Sequence, residues 1–285
     1  MSYLKYIFVF LTVGLFAQSK LDESQLKVFQ PTEKSKVFNK VYTQNFFFGN
    51  FGVKQLIGAV PINNDNVKKI EIVAETSSVK DQPVMELLYN SSGDLIQMKV
   101  MQAFFGKEML VDYQYKDGYL VEEKLTQSNE VTVNRFYYTD DKMIIENSKG
   151  ILDVYTLEGE ILLKNSYIDG EMILSDRMVR NCRLTNYQRK PINKICYNNL
   201  NLKLPLTIEK YTNNENEAGR LVLQVDEVLS IDKSSDLEYD IKINGQSRYK
   251  LKLNQDSSLA EFAYLGNKED KTKPVKYKFN YIYIE

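Results

Sequence analysis

Apolar and polar residues alternate along most of this chain, from Ile70 to near its C-terminal end. Successive side chains of a strand point to opposite faces, so this period of two predicts strands with one buried face. The clearest hairpin spans residues 239–253, where Asn244-Gly245 is the preferred two-residue turn. Helix is predicted only within Ser24–Tyr42, where Pro31 would interrupt it. The pattern predicts an all-β, mainly antiparallel fold.

A short unit recurs in the first half of this pattern. A tyrosine is followed by a polar turn, often ending in glycine, and then by an apolar residue two positions after the glycine. Each unit predicts a β-hairpin, because glycine supplies the positive φ of a tight turn, and one hairpin must stack on the next to bury its apolar face. The tyrosine and the residue that follows the glycine are expected to pack on neighbouring strands. The units are Tyr89…Gly93-Asp94-Leu95, Tyr115…Gly118-Tyr119-Leu120, Tyr155…Gly159-Glu160-Ile161, Tyr167…Gly170-Glu171-Met172 and, with Lys142 in the glycine position, Tyr138…Met143.

Two of these stretches resemble known repeats. The run from Tyr113 through Asp117-Gly118 to Glu123 resembles the YD repeats of RHS-type bacterial surface proteins, and residues 155–172 are similar to MORN-type repeats. The resemblance covers residues 85–175. Both families are stacked β-hairpins that act as scaffolds or interaction surfaces. The resemblance therefore implies an architecture and carries over no functional residues.

The first 17 residues, MSYLKYIFVFLTVGLFA, have a charged start, a short apolar middle and a small residue at the end. The apolar stretch is shorter than the about 20 residues that a spanning helix needs. It predicts a signal peptide cut after Ala17, and the alternative is a buried helix or strand at the start of the chain. No second long apolar run follows, so we expect the mature protein to be soluble, with no transmembrane segment, in the periplasm or at the cell surface.

The composition changes near Asp176, which predicts two regions after the signal peptide. Residues 18–175 form a β-hairpin-repeat region, expected to be a meander sheet. Residues 176–285 form a second β-rich region, whose entry segment is basic and holds both cysteines.

Cys182 and Cys196 are the two cysteines of the chain. In an exported protein an isolated pair indicates a disulfide, which would close a loop worth about 3 kcal/mol. The alternative is two free buried thiols. A zinc site is not expected, because two thiols without histidine leave the ion under-coordinated.

The segment 177–208 contains no acidic residue and many basic ones. Arginine forks bind carboxylate, sulfate and phosphate groups in pairs of hydrogen bonds, so the segment is a candidate anion-binding module. The alternative is a basic loop balanced by acids of other strands, such as Asp226, Asp232 and Asp236. The candidate residues are Arg177, Arg180, Arg183, Arg189, Lys190 and Lys194.

The chain has no histidine, which excludes histidine-based acid–base catalysis and the Ser-His-Asp triad. Neither a P-loop nor a dinucleotide-binding fingerprint is present. The Ser-x-x-Lys spacing of a serine nucleophile with a lysine base occurs at Ser24…Lys27 and at Ser247…Lys250. About two such matches are expected by chance in a chain of this composition. The net charge of −1 gives no general attraction to nucleic acid.

Carboxylates remain the one route to hydrolysis. The adjacent pairs Glu122-Glu123, Asp140-Asp141 and Asp226-Glu227 cannot each act as an acid–base pair, since neighbours on a strand point to opposite faces. A working pair would have to be assembled from distant strands. Residues 63–66 and 213–217 are polar enough for calcium but lack EF-hand spacing, and turns explain them more simply.

We therefore predict an exported, non-enzymatic interaction or scaffold protein of a bacterial envelope or surface, with no cofactor and no metal. Its expected partner is a protein or an anionic envelope glycan. The alternatives are a carboxylate-based hydrolase, such as one acting on glycosides, and an anion-binding module around residues 177–194.

Overall fold

The computed structural model describes residues 22–50, 66–102, 106, 108–139, 141–159, 161–200, 207–215, 221–266 and 273–284. The predicted signal peptide and its cut after Ala17 lie outside these residues. So do Asn63–Asp65 of one calcium candidate and residues 216 and 217 of the other.

Strands dominate the described part of the chain. A short 3-10 turn (Glu23–Gln25) and one helix, α1 (Glu33–Asn50), precede them. The helix begins two residues after Pro31 and continues beyond Tyr42 to Asn50, so Pro31 precedes the helix rather than interrupting it. The strands are β1 (Val67–Glu75), β2 (Gln82–Tyr89), β3 (Leu95–Val100), β4 (Met109–Lys116), β5 (Tyr119–Gln127), β6 (Glu130–Thr139), β7 (Lys142–Asn147), β8 (Ile151–Glu158), β9 (Ile161–Ile168), β10 (Glu171–Val179), β11 (Cys182–Tyr187), β12 (Lys190–Tyr197), β13 (Thr207–Glu215), β14 (Leu221–Lys233), β15 (Glu238–Ile243), β16 (Gln246–Leu253), β17 (Leu259–Tyr264) and β18 (Val275–Tyr283).

The sheet closes into a barrel. Each strand pairs with the next in antiparallel fashion, and β1 pairs with both β2 and β18. The closing seam runs from the Val67–Tyr283 pair to the Glu75–Lys276 pair. Closure leaves no open sheet edge among the 18 strands, which removes the usual site of edge-to-edge aggregation.

This architecture confirms the all-β, antiparallel prediction and makes it more specific. The hairpins are not a separate meander sheet followed by a second region, because they belong to one closed ring. The predicted boundary at residues 175–176 falls inside β10, and the same sheet continues on both sides of it.

The tyrosine units form hairpins with a common register. The tyrosine and the apolar residue of the unit are directly paired on neighbouring strands, and only the unit at Tyr155 departs from this rule. There β8 continues to Glu158, which pairs with Ile161. The four regular pairs are Tyr89–Leu95, Tyr115–Leu120, Tyr138–Met143 and Tyr167–Met172. The Asn244-Gly245 turn, with φ values of 51° and 76°, joins β15 to β16 as predicted. The resemblance to YD or MORN repeats stays a prediction.

The apolar face of the strands lines the inside of the barrel. One cluster of buried side chains includes residues of strands all around the ring, from Ile70 on β1 to Phe279 on β18, which only an inner surface can bring together. Helix α1 belongs to the same cluster through Phe38, which is 2% exposed. The ring of Tyr42 on α1 also packs edge-on against Phe136 of β6, with 5.3 Å between centroids. The described part of α1 therefore packs against the inner wall at β5 to β8.

The segment before α1 passes through the barrel wall. Leu26 packs on the outer side, against a small cluster that includes Ile144 and Leu152. The register between β5 and β6 ends at the pair Glu122–Arg135, and beyond it the N-terminal segment takes the place of β5. There the N–H of Tyr138 donates to the carbonyl of Val28, and the N–H of Gln30 donates to the carbonyl of Tyr138.

The inner end of this segment is held by aromatic rings. Phe29 packs edge-on against Tyr119 and Tyr138, with centroid distances of 6.4 and 5.9 Å, and contacts the interior cluster. We call residues 26–30 the threaded segment, because they connect the outer face to the helix inside.

Candidate functional site

The predicted anion-binding residues are spread over the barrel rather than gathered on one surface. Arg177 on β10 pairs with Leu184 on β11, so the neighbouring Arg183 lies on the opposite, inner face. Arg180 lies in the turn before β11 and Arg189 in the turn after it, at opposite ends of that strand. Strand alternation therefore separates residues that are close together in sequence.

Lys194 and the inner Arg183 of that segment have local partners. Nζ of Lys194 lies over the ring of Tyr211, 4.4 Å from its centroid, and Lys190 begins β12. Nη1 of Arg183 donates to the carbonyl of Leu162 at 3.4 Å. Anion binding at residues 177–194 stays a prediction, and it would have to use fewer of these side chains at once.

The acids expected to balance the basic segment serve their own hairpin instead. Asp232 pairs with Lys242 at 2.8 Å, and Asp236 pairs with Lys233 at 2.9 Å. The expectation that Asp232 and Asp236 neutralise the basic segment is therefore wrong, because nearer lysines take up their carboxylates.

The two cysteines form the predicted disulfide. Cys182 on β11 lies directly opposite Cys196 on β12, with 4.0 Å between their Cα atoms. The bond joins adjacent strands near the turn that holds Arg180, and so fixes their register at that end.

Carboxylates on the inner wall form hydrogen bonds that link neighbouring strands. Asp153 accepts hydrogen bonds from Oγ of Ser166 at 2.6 Å and from Nζ of Lys164 at 3.3 Å. Asp176 accepts from the hydroxyl of Thr185 at 2.6 Å and from the backbone N–H of Lys164 at 3.1 Å. These bonds join β8, β9, β10 and β11 to one another.

Glu123 is the most deeply buried of these acids. Its side chain is on the inner face, it is 2% exposed, and burial raises the pKa of its carboxyl group. Oε1 accepts hydrogen bonds from Asn134 at 2.6 Å and from Tyr42 of α1 at 3.2 Å. Oε2 has no partner, and neither has the hydroxyl of Tyr113, the residue paired with Glu123 across β4 and β5. The raised pKa is what a catalytic acid needs, but this carboxyl group faces packed side chains and a helix.

The Ser-x-x-Lys pairs are committed to other partners. Oγ of Ser24 donates to Asp22, Nζ of Lys27 pairs with Glu146, and Ser247 donates to Asp240. Within the described ranges no group of three acidic or thiol side chains is placed to hold a metal ion. No helix among these residues is long and apolar enough to cross a membrane.

The outer wall is polar where the barrel closes. Nζ of Lys69 lies 2.7 Å from Glu71 and 3.0 Å from Glu86. Across the β1–β18 seam, Glu75 pairs with Lys276 at 3.1 Å and with Lys278 at 3.0 Å. These residues alternate with the buried ones of the same strands, so their charges face away from the core.

A cavity on this outer wall is the candidate functional site. It has a volume of about 290 Å³ and is lined by Val133, Arg135, Glu146, Asn147, Ser148 and Gly150. Arg135 is directly paired with Glu146, and Arg135 belongs to the face opposite the buried Phe136, so the cavity opens on the outer side. Arg135, Ser148 and Gly150 are exposed. We call it the Arg135 cavity.

The threaded segment borders the Arg135 cavity. Nζ of Lys27 lies 2.7 Å from Oε1 of Glu146, and the hydroxyl of Tyr137 donates to Oε2 at 3.2 Å. The ammonium of Lys27, more than the other neighbours, holds the pKa of the Glu146 carboxyl below its ordinary value. The carboxylate is therefore fixed in position and ionised near neutral pH. Neither Arg135 nor the contact of Lys27 across 119 positions could be singled out from the sequence, because both depend on the register and on the threading.

The comparisons with known proteins include a structural likeness. No family model matches the chain, and no curated protein matches it. Among solved structures, the chain is similar to a porin-like protein from Bacteroides uniformis ATCC 8492, with 13% sequence identity and a TM-score of 0.34. The match covers 78% of this chain and 100% of that one.

Proposed function

We propose that this chain is an exported, non-enzymatic interaction protein of a bacterial envelope or surface, which meets its partners with the outer wall of its barrel. The observation that carries the proposal is the difference between the inner and the outer wall of the barrel. The inner wall carries the cluster of buried apolar side chains and α1, whereas the outer wall bears ion pairs and the Arg135 cavity.

The polarity of the outer wall supports an aqueous setting. Barrels that span a membrane carry an outward apolar band of about 25 Å. Here the outward positions of β1 include Lys69, Glu71 and Glu75, all in ion pairs, together with the apolar Val73. The disulfide agrees with an oxidising compartment outside the cytoplasm.

The hydrolase alternative finds less support. The carboxyl group with a raised pKa, Glu123, is 2% exposed and packed against α1, so a glycan has no path to it along the outer wall. Asp153 and Asp176 each hold two hydrogen bonds within the wall.

The test is to express the full chain in a Gram-negative host and to determine its N-terminal residue and its cellular location. We expect mass spectrometry of the periplasmic fraction to find a mature protein that begins at Gln18. We expect it to stay in the aqueous phase after a detergent-free alkaline wash. A full-length chain in the cytoplasm, or a mature chain released from membranes only by detergent, would contradict the proposal. The matched control is an Ala17→Asp variant, in which cleavage should fail because the cut site needs a small residue.

A further inference from the structure

We propose that the Arg135 cavity binds an acidic sugar residue, meaning one sugar ring that carries a single carboxylate or phosphate group. This rests on the proposed function of an envelope interaction protein and names the ligand class of its candidate site.

The guanidinium of Arg135 is the group that selects an anion. Arg135 is exposed on β6, and within the described residues no ion pair within 4.0 Å engages it. A guanidinium offers five N–H donors in a planar fork that matches carboxylate and phosphate oxygens. An anion bound there would gain charge-assisted hydrogen bonds without displacing a protein partner.

The guanidinium of Arg135 forms no ion pair within 4.0 Å among the described residues, although its charge helps to lower the pKa of the Glu146 carboxyl group. Glu146, which also lines the cavity, already has its counter-charge in Lys27 at 2.7 Å. Glu122 lies opposite Arg135 on the other side, on β5, but it is not part of the lining. An anion that enters the cavity therefore meets two positive charges, on Arg135 and Lys27, beside the one lining carboxylate of Glu146.

The remaining lining suits the hydroxyl groups and carbon face of a sugar. Ser148 provides a hydroxyl, and Glu146 provides acceptor oxygens that Lys27 and Tyr137 hold in place. Oδ1 of Asn147 accepts the N–H groups of Lys149 and Ile151, which leaves its amide N–H₂ group as a donor. Val133 supplies an apolar side for ring C–H groups.

The volume of the cavity suits a single sugar ring. Pockets for drug-sized molecules measure about 300–1,000 Å³, and this cavity, at about 290 Å³, lies below that range. The cavity is open on the outer wall, so the ring can be the terminal residue of a longer glycan.

Calorimetric titration of the full mature chain tests the proposal with glucuronate, glucose 6-phosphate and glucose as probes. We expect saturable binding of at least one acidic sugar in the millimolar range, and at least tenfold weaker binding of glucose. The acidic probe that binds better identifies the anion as carboxylate or phosphate. Binding should weaken as salt rises, since the guanidinium is exposed to solvent.

Two variants and one control locate the site. Arg135→Gln should weaken binding at least tenfold, and Ser148→Trp should abolish it by filling the cavity, each with an unchanged unfolding temperature. Lys250→Gln removes an exposed positive charge on β16 and should leave binding unchanged. Equal binding by the wild-type protein and Arg135→Gln, or an equal loss in Lys250→Gln, would overturn the assignment.

Failure of this inference is distinct from failure of the proposed function. If neither acidic sugar binds to a chain that is exported and remains in the aqueous phase, the sugar site is wrong and the interaction protein stands. If the chain is not exported, the proposed function fails whatever the titrations show.

Discussion

Nζ of Lys27 lies 2.7 Å from Oε1 of Glu146, and this ion pair fastens the threaded segment to the outer wall. Both side chains are about a quarter exposed, so Lys27→Gln should lower the free energy of unfolding by only about 0.5 kcal/mol. Its effect on the carboxyl group should be clearer, because Lys27 is the main cause of the lowered pKa of Glu146. Carbon-detected NMR titration should show that pKa rising in the variant. An unchanged titration of Glu146 would mean that the ion pair is not formed in solution.

Tyr138 tests the interior contact of α1. Its hydroxyl donates to the carbonyl of Leu120 at 2.6 Å and lies 2.7 Å from Oδ1 of Asn39. Tyr138→Phe leaves buried polar groups unpaired and should cost about 1–3 kcal/mol in the free energy of unfolding. The neighbouring Tyr137→Phe is the control: its hydroxyl donates to the partly exposed Glu146 on the outer wall, so the loss measured by denaturant unfolding should be smaller. Equal losses would argue against the burial of Tyr138.

Glu123 gives the barrel a measurable pH dependence. Its pKa is raised by burial above the ordinary 4.5, so the folded state binds more protons than the unfolded state between 4.5 and the raised value. Through that window the contribution of Glu123 to stability falls as pH rises. Glu123→Gln does not titrate and keeps an acceptor for Tyr42 and Asn134. The free energy of unfolding of the variant, relative to wild type, should therefore increase between pH 4.5 and pH 8.

Other carboxylates act in the opposite direction. Lys278 and Lys276 lower the pKa of Glu75, and Lys27 lowers that of Glu146. Their contributions are present above the ordinary value of 4.5 and are lost as pH falls through the lowered values. The wild-type protein and Glu123→Gln share the contributions of Glu75 and Glu146. The difference between their free energies of unfolding at each pH therefore reports Glu123. A difference between variant and wild type that stays constant over the whole range would contradict the buried position of Glu123.

The disulfide is expected to stabilise the barrel by limiting its unfolded state. It closes a loop between residues 14 positions apart, for which loop entropy predicts about 3 kcal/mol. A Cys182→Ser, Cys196→Ser double variant should lose about that much in denaturant unfolding. Reductant should lower the stability of the wild-type protein and leave the double variant unchanged. Two titratable thiols in the native, non-reduced protein would disprove the bond.

Gly159 has a steric role that its hairpin counterpart lacks. A Cβ at Gly159 would lie 2.9 Å from the carbonyl oxygen of Leu200, whereas nothing lies within 4 Å of one at Gly118. Both residues have positive φ, 61° and 80°, so alanine is strained at either site. Gly118→Ala should cost about 1 kcal/mol, and Gly159→Ala should cost more because backbone must move. Equal losses in thermal unfolding would show that Leu200 does not approach Gly159.

The local features of the fold were predictable from sequence because they depend on neighbouring residues. Alternation around Ile70 predicts strand β1, and Asn244-Gly245 predicts the turn between β15 and β16. The pairing of Tyr115 with Leu120 follows from the hairpin unit. Closure was not predictable, since the pairing of Ile70 with Tyr281 joins residues from opposite ends of the chain.

The candidate site depends on the same long-range geometry. The arginine cluster was prominent in sequence, but strand alternation and two turns separate Arg177, Arg183 and Arg189. Arg135 stands alone in sequence, and it gains a cavity only through its pairing with Glu146. Proximity along a strand is thus a poor guide to a shared surface, because neighbours face opposite ways.

The threaded segment also determines how the molecule responds to mechanical load. A pull on the chain ahead of Leu26 acts from outside the wall, yet it is resisted by the backbone bonds at Tyr138 and by the rings that hold Phe29 inside. Tension at that end thus acts on β5 and β6, the strands that hold Tyr119 and Tyr138. If the protein is attached to another structure at that end, α1 inside the barrel should keep the threaded segment from being pulled out through the wall.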